Sequence, residues 1–440
     1  MKKSENGLIK GAFFLSIGGF ITKAIGAIYR IPLTNLLGAE GIGLYQMVFP
    51  LYSLLLTVSS TGVPNGMAKL IAEKNDENKV LKSALCFFVP LGLLATVFLI
   101  VFGYHLAVLQ GNSLAKSCYV AIAPSVLLVS VISCFRGYFQ GKLDMKPTAI
   151  SQILEQVIKL IFGLTLCYVF KENVVIGASV AALAVSISEL VTVLYFIFLK
   201  KYKGGGFNGF LKVNIDVKLI LKTVLPVMLC TLILPSARTI ESFLIVNILN
   251  KNFRNATSLY GLYSGAVESL VGVPVALLYG IAVSSVPVIA SKKKEGLNYK
   301  KKIVESLALT IVFSLLFSVA FFFLSRFAVD LLYRRFDTLE VETTVKMLKI
   351  ASLSVFFLPL MQTSASILIS LGRYYIPTIS SVIAMIIKIP LSIFLLNLPS
   401  VNIFAVVITD IVCYLVACFI NLVYIIKDGA SNKHIKPALT

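Results

Sequence analysis

Long apolar stretches alternate with short polar ones along almost the whole chain. Leu307 to Leu324 is 18 residues without a charge, and Ser83 to Ala115 carries none apart from the possible charge of His105. A helix of about 20 apolar residues is long enough to cross the hydrocarbon core of a bilayer. The pattern predicts twelve such helices, near 9–33, 43–69, 84–108, 117–138, 148–169, 174–198, 219–248, 260–290, 304–325, 347–371, 377–397 and 401–426.

The polar segments between these helices predict how the chain is oriented. Loops that stay in the cytoplasm carry an excess of Lys and Arg. With twelve helices, most of the Lys and Arg fall on the side that holds both termini, and the loop with Lys292–Lys294 and Lys300–Lys302 is the strongest example. We therefore expect both termini to be cytoplasmic.

Composition supports a membrane protein and excludes several soluble classes. Of 440 residues, 58% are hydrophobic and 14% are charged, whereas soluble domains have about 25% charged residues. The loop lysines account for most of the formal charge of +20, so nucleic acid is not an expected partner. Seven Cys without a CxxC pair and two His predict no metal centre, no disulfide framework and no cofactor.

The chain divides at a polar stretch that contains Gly204-Gly205-Gly206. We predict an N-terminal six-helix bundle over 1–199, a cytoplasmic linker over 200–218, a C-terminal six-helix bundle over 219–426 and a cytoplasmic tail over 427–440. Short similarities recur in the same order in both halves; for example, Gly43-Leu44-Tyr45 and Gly261-Leu262-Tyr263 open corresponding helices. Two parallel repeats around a central cavity are one known architecture of alternating-access transporters. The expected fold is thus an all-α polytopic membrane protein with two six-helix repeats.

One region resembles a known family. The run from Lys23 to Tyr45, followed by Ser60-Thr61-Gly62-Val63-Pro64, resembles the opening of polysaccharide-biosynthesis and stage V sporulation protein B-type transporters. Their superfamily also contains lipid II flippases and multidrug and toxin extrusion antiporters. The resemblance implies a flippase that carries a polyprenyl-pyrophosphate-linked sugar across the bacterial cytoplasmic membrane. The expected sugar is a peptidoglycan precursor or another envelope precursor. The expected partners are this substrate and membrane lipids, and the protein is expected to be a monomer.

Charges inside the predicted helices are candidates for function, because each costs about 2.5–3.5 kcal/mol to insert. Lys23 and Arg30 are seven residues apart and share one face of the first helix, and Arg238 and Glu241 share a face of the seventh. We predict that these four residues and Glu268 bind the anionic substrate, since guanidinium groups chelate phosphate oxygens. The alternative, a neutralised network that only holds the halves together, stays open.

Other charges point to ion pairing or ion coupling. Glu155 and Lys159 are four apart on one helix, which predicts an internal ion pair. Asp410 and Glu189 are candidates for coupling to sodium or protons. The resemblance implies a sodium site among the seventh, eleventh and twelfth helices, but Lys388 in the eleventh carries an ammonium that can take the place of the metal.

Two other functions compete with the flippase. A cation-coupled multidrug antiporter is expected to have an acidic cavity, whereas Lys23, Arg30, Arg238 and Lys388 are basic. A membrane glycosyltransferase needs clustered carboxylates or His in a sizeable loop, and the largest outward loop, Arg326 to Lys346, has carboxylates but no His. We therefore predict a transporter that is not an enzyme and has no catalytic residue.

Overall fold

The structure is a computed structural model that describes residues 2–58, 62–73, 77–202, 232, 235–295 and 297–431. Over these ranges the chain is helical and contains no β-strand. Nine helices of the described part are long and apolar enough to cross a membrane. The predicted class, an all-α polytopic membrane protein, is confirmed, while the count of twelve spans and the two repeats remain predictions.

Thirteen α-helices are present within the described ranges. They are α1 (Lys2–Leu56), α2 (Gly62–Glu73), α3 (Glu77–Leu109), α4 (Lys116–Gly141), α5 (Lys146–Val169), α6 (Val174–Tyr202), α7 (235–249), α8 (Ala256–Gly261), α9 (Glu268–Lys294), α10 (Lys300–Leu332), α11 (Thr338–Ser370), α12 (Tyr375–Leu396) and α13 (Phe404–Ser431). A 3₁₀ turn, Ser113–Ala115, precedes α4, and a π-helical segment, Leu262–Val267, joins α8 to α9.

Several predicted helix ends are wrong, for local reasons. Helix α1 contains two helical segments, as predicted, but they follow each other without a loop and meet at a kink where Gly38 takes a non-helical conformation with a positive φ of 69°. Helix α11 begins at Thr338, before the predicted position 347, because a capping box satisfies its first backbone N–H groups. In that box Asp337 accepts from the Glu340 N–H at 2.7 Å, and Glu340 accepts from the Asp337 N–H at 3.1 Å.

The chain forms two compact units, unit 1 over Met1–Gly261 and unit 2 over Leu262–Thr440. In unit 1, α4 packs against α3 and α6, and α5 packs against α1 and α6. The rings of Phe135 on α4 and Phe196 on α6 stack with centroids 5.6 Å apart. In unit 2, α11 packs against α9, α10 and α13.

The predicted linker and tail are described only in part. Residues 200–202 form the end of α6, and 203–218 lie outside the described residues, so the proposed halves remain a prediction. Helix α13 continues to Ser431, into the predicted tail, and 432–440 lie outside the described residues, so the tail stays a prediction.

Candidate functional site

Five charged side chains from four helices interact with one another inside unit 1. They are Arg30 on α1, Arg136 on α4, Glu155 and Lys159 on α5, and Glu189 on α6, and we refer to them as the charged cluster. Lys159 interacts electrostatically with Glu155, Arg30 and Glu189, and Glu189 does so with Glu155, Arg136 and Lys159. Three cations and two carboxylates leave the cluster with a formal charge of +1.

Arg136 and Glu155 form the ion pair of the cluster. Arg136 Nη2 lies 3.0 Å from Glu155 Oε2, and Arg136 Nε donates to Ser151 Oγ at 3.1 Å. The second carboxylate oxygen, Oε1, accepts from Gln156 Nε2 at 3.3 Å. The predicted ion pair between Glu155 and Lys159 is therefore wrong. Arg136 lies two residues before the predicted helix end at 138, but α4 continues to Gly141, and the ion pair holds α4 against α5.

Lys159 lies over an aromatic ring instead of beside a carboxylate. Its Nζ atom is 5.8 Å from the centroid of the buried Tyr29 ring on α1, in reach of a cation–π interaction. The close approach of Tyr29 to α5 depends on Gly163, since a Cβ there would overlap the Tyr29 hydroxyl. This contact leaves the ammonium charge of Lys159 without a carboxylate ion pair among the described residues.

Arg30 supplies the second cation that is not neutralised by direct contact. Its side chain is half-buried and makes no ion pair with any carboxylate of the described ranges. It acts electrostatically on Tyr45 of α1 and on Lys159 of α5. Two neighbouring cations inside a membrane domain create a positive potential that an anion can offset, and the low dielectric strengthens this attraction.

Glu189 is the most deeply buried member of the charged cluster. Its residue is 3% exposed, and its Oε2 atom has no hydrogen-bond partner in the described part of the chain. A buried carboxylate oxygen without a donor is costly. Glu189 is therefore a candidate for binding a proton or cation, in line with its predicted coupling role.

The remaining predicted substrate residues are placed differently. The Lys23 side chain lies outside the described residues. On α7, Arg238 is exposed and Glu241 is buried, and their predicted shared face stays a prediction. Glu268 is exposed at the start of α9 in unit 2. The predicted binding set as a whole thus stays a prediction.

Unit 2 brings together two of the predicted coupling residues. Lys388 Nζ on α12 lies 2.7 Å from Asp410 Oδ1 on α13, and both residues are buried, with 3% and 8% exposure. Tyr263 lies in the π-helical segment, and its hydroxyl donates a hydrogen bond to Asp410 Oδ2, with 2.5 Å between the two oxygens. The Lys388 ammonium is thus a cation in direct contact with Asp410. Sequence reasoning missed Tyr263, because nothing in its pattern separates it from other membrane tyrosines.

The long apolar helices that hold these charges are those of a multi-pass membrane protein. Family models then identify it further. The model described as "Polysaccharide biosynthesis protein" matches residues 8–293, and the chain belongs to that family. A second model, MatE, matches residues 263–394. The predicted family resemblance is confirmed.

Two proteins of Bacillus subtilis (strain 168) are similar in sequence. Stage V sporulation protein B is 32% identical over 203 residues, which cover 44% of this chain and 39% of that protein. Lipid II flippase MurJ is 25% identical over 424 residues, which cover 89% of this chain and 78% of MurJ. The chain thus spans most of MurJ but matches only about two fifths of the sporulation protein.

Two solved structures share the fold. An inward-facing multidrug resistance MATE family transporter of the MOP superfamily superimposes with a TM-score of 0.79 at 13% identity, over 94% of this chain and 96% of that one. Lipid II flippase MurJ in an inward closed conformation superimposes with a TM-score of 0.76 at 15% identity, over 94% of this chain and 89% of that one. At these identities the comparison establishes the fold alone.

Proposed function

We propose that this protein is a flippase that moves a polyprenyl-pyrophosphate-linked sugar across the bacterial cytoplasmic membrane by alternating access. The membership of the polysaccharide biosynthesis family and the similarity to lipid II flippase MurJ support this proposal. The single observation that carries it is the pair of cations, Arg30 and Lys159, that face no carboxylate at ion-pair distance among the described residues.

A pyrophosphate matches this arrangement chemically. Arg30 can donate two parallel N–H bonds to one phosphate, and Lys159 can approach another oxygen as a point charge. Cations inside a membrane domain have an unfavourable free energy when no anion is bound beside them. A dianionic headgroup therefore binds more tightly, because it neutralises these charges. Arg136 and Glu155 neutralise each other and position α4 against α5.

The alternative function is a cation-coupled multidrug antiporter. The fold of the MATE family transporter is compatible with it. The formal charge of +1 in the charged cluster disfavours an organic cation as the substrate, since like charges repel. We therefore place the antiporter second.

Coupling is proposed to depend on Glu189 more than on Asp410. Asp410 already binds the Lys388 ammonium and the Tyr263 hydroxyl, whereas Glu189 Oε2 has no donor in the described part of the chain. The coupling ion is a proton or sodium. We further propose twelve spans in two repeats around a central cavity, cytoplasmic termini, a monomeric transporter and no catalytic residue.

Depletion of the protein in its native host tests this function. We expect a lipid-linked sugar pyrophosphate to accumulate in the inner leaflet of the cytoplasmic membrane. Its chemical identity, read by mass spectrometry, would name the substrate. Unchanged lipid-linked intermediates together with reduced export of organic cations would instead support the antiporter.

A further inference from the structure

Three lysines converge at one end of unit 1. They are Lys82 in the first turns of α3, Lys142 directly after α4 and Lys200 in the last turn of α6, and we call them the lysine rim. Lys82 and Lys142 both interact electrostatically with Lys200. The three helix ends therefore gather like charges in one place.

The ring of Tyr138 on α4 lies between two of these cations. The Nζ atoms of Lys142 and Lys200 are 5.3 Å and 5.1 Å from its centroid. Lys200 is only 2% exposed, so its charge is largely removed from water. Glu77 at the start of α3 contacts Lys142 Nζ at 2.6 Å and contributes one negative charge. Hydrogen bonding to Glu77 raises the pKa of Lys142, which keeps this lysine charged at neutral pH.

Assembled ammonium groups repel one another, and the repulsion grows where one of them is buried. An anion placed among them removes this cost. Apolar side chains that reach solvent or lipid lie beside the lysines: Leu143 is 50% exposed, and Tyr202 in the last turn of α6 is 90% exposed. A ligand that combines a phosphate with hydrocarbon chains fits both features.

We propose that the lysine rim binds the headgroup phosphate of an anionic phospholipid, with the acyl chains lying along the outer surface of unit 1. Lysine is a common phosphate ligand and acts as a point charge. A basic residue near an anionic membrane surface is worth about fivefold in affinity. The lysine rim shares no residue with the charged cluster, and the proposal does not depend on the transported substrate.

Lipid binding to the purified full-length protein tests this site. The probe is short-chain phosphatidylglycerol, with phosphatidylcholine and inorganic phosphate as separate arms, and bound lipid is counted by native mass spectrometry. We expect Lys82→Gln, Lys142→Gln and Lys200→Gln each to weaken phosphatidylglycerol binding about fivefold. The matched control is Lys201→Gln, which removes the same charge from an exposed neighbour and should weaken binding less than Lys200→Gln does, because water and salt screen an exposed charge.

Equal losses in Lys201→Gln and Lys200→Gln would overturn the site, because a diffuse surface charge would then explain the binding. Displacement of phosphatidylglycerol by an equal concentration of inorganic phosphate would overturn the lipid as ligand. If Lys200→Gln does not fold, phosphatidylglycerol binding by Lys82→Gln and Lys142→Gln, which change the two more exposed lysines, decides the result. Arg30→Ala changes the charged cluster and leaves the lysine rim intact, so it should retain phosphatidylglycerol binding. A failure of the lipid site and a failure of the flippase function can therefore be told apart.

Discussion

Gly261 packs directly on the backbone of Gly43 within unit 1. A Cβ on Gly261 would lie 2.8 Å from the Gly43 nitrogen and would overlap the Ala39 carbonyl oxygen. These are the two glycines that the sequence places at corresponding positions of the proposed repeats. Helices α1 and α8 approach this closely because neither residue has a side chain.

Replacement of Gly261 by Ala should therefore destabilise the protein. Backbone atoms surround the new methyl group and cannot move aside easily, so we expect a loss of about 1–3 kcal/mol. Gly280→Ala is the matched control, since no heavy atom lies within 4 Å of its Cβ position. It should leave stability unchanged or raise it by up to about 1 kcal/mol, because Ala favours helix. Thermal unfolding in detergent measures both; equal melting temperatures would argue against the close contact.

Arg136 and Lys159 should respond differently to the loss of their charge. Arg136→Met leaves Glu155 without its ion-pair partner and should cost about 3–5 kcal/mol of stability. Lys159→Met removes a cation–π contact, worth about 0.5–2 kcal/mol, together with electrostatic interactions that involve Glu155 and Glu189, and it removes a proposed substrate cation. We expect Lys159→Met to insert and remain folded while transport falls. Wild-type transport by Lys159→Met would exclude it from the substrate site.

The Lys388–Asp410 pair should show strong coupling in a double-mutant cycle. Either Lys388→Met or Asp410→Asn alone leaves a buried charge and should cost about 3–5 kcal/mol. The double variant removes both charges, and the hydroxyl of Tyr263 can still donate to the carbonyl oxygen of the introduced amide. We expect it to be more stable than the sum of the single losses predicts. Additive losses would show that the two charges do not depend on each other.

Glu189→Gln should separate ion coupling from substrate binding. The amide keeps the shape of the side chain but cannot take up a proton or hold a cation by charge. Transport in vesicles should lose its response to an imposed proton or sodium gradient, while substrate binding remains. The control is Glu172→Gln, an exposed carboxylate just before α6. An unchanged gradient response in Glu189→Gln would move the coupling site elsewhere.

Much of the site was predictable, because charges stand out in apolar helices. Arg30, Glu189, Lys388 and Asp410 are recognisable in the sequence alone. The partners were not, because they depend on which helices pack together: Glu155 pairs with Arg136 of α4, and Lys159 lies on Tyr29 of α1. Arg136 was missed since it lies near a predicted helix end, where a long side chain usually reaches the interface.

The bend in α1 shows a second limit of sequence reasoning. Apolar periodicity places helices on both sides of Gly38, as the structure does, but does not reveal that the two helices meet at this residue without a loop between them. The capping box at Asp337, in contrast, follows a recognisable spacing of Asp and Glu that could have located the start of α11.

The most direct test of the account is transport by the purified protein in lipid vesicles, measured as the appearance of a labelled lipid-linked sugar pyrophosphate in the outer leaflet. We predict that the wild-type protein moves this lipid and that Arg30→Ala, inserted to the same level, is slower by about tenfold or more, since a hydrogen bond to a charged group contributes about 1.5–3 kcal/mol. Equal rates for the two proteins would contradict the proposed anion site.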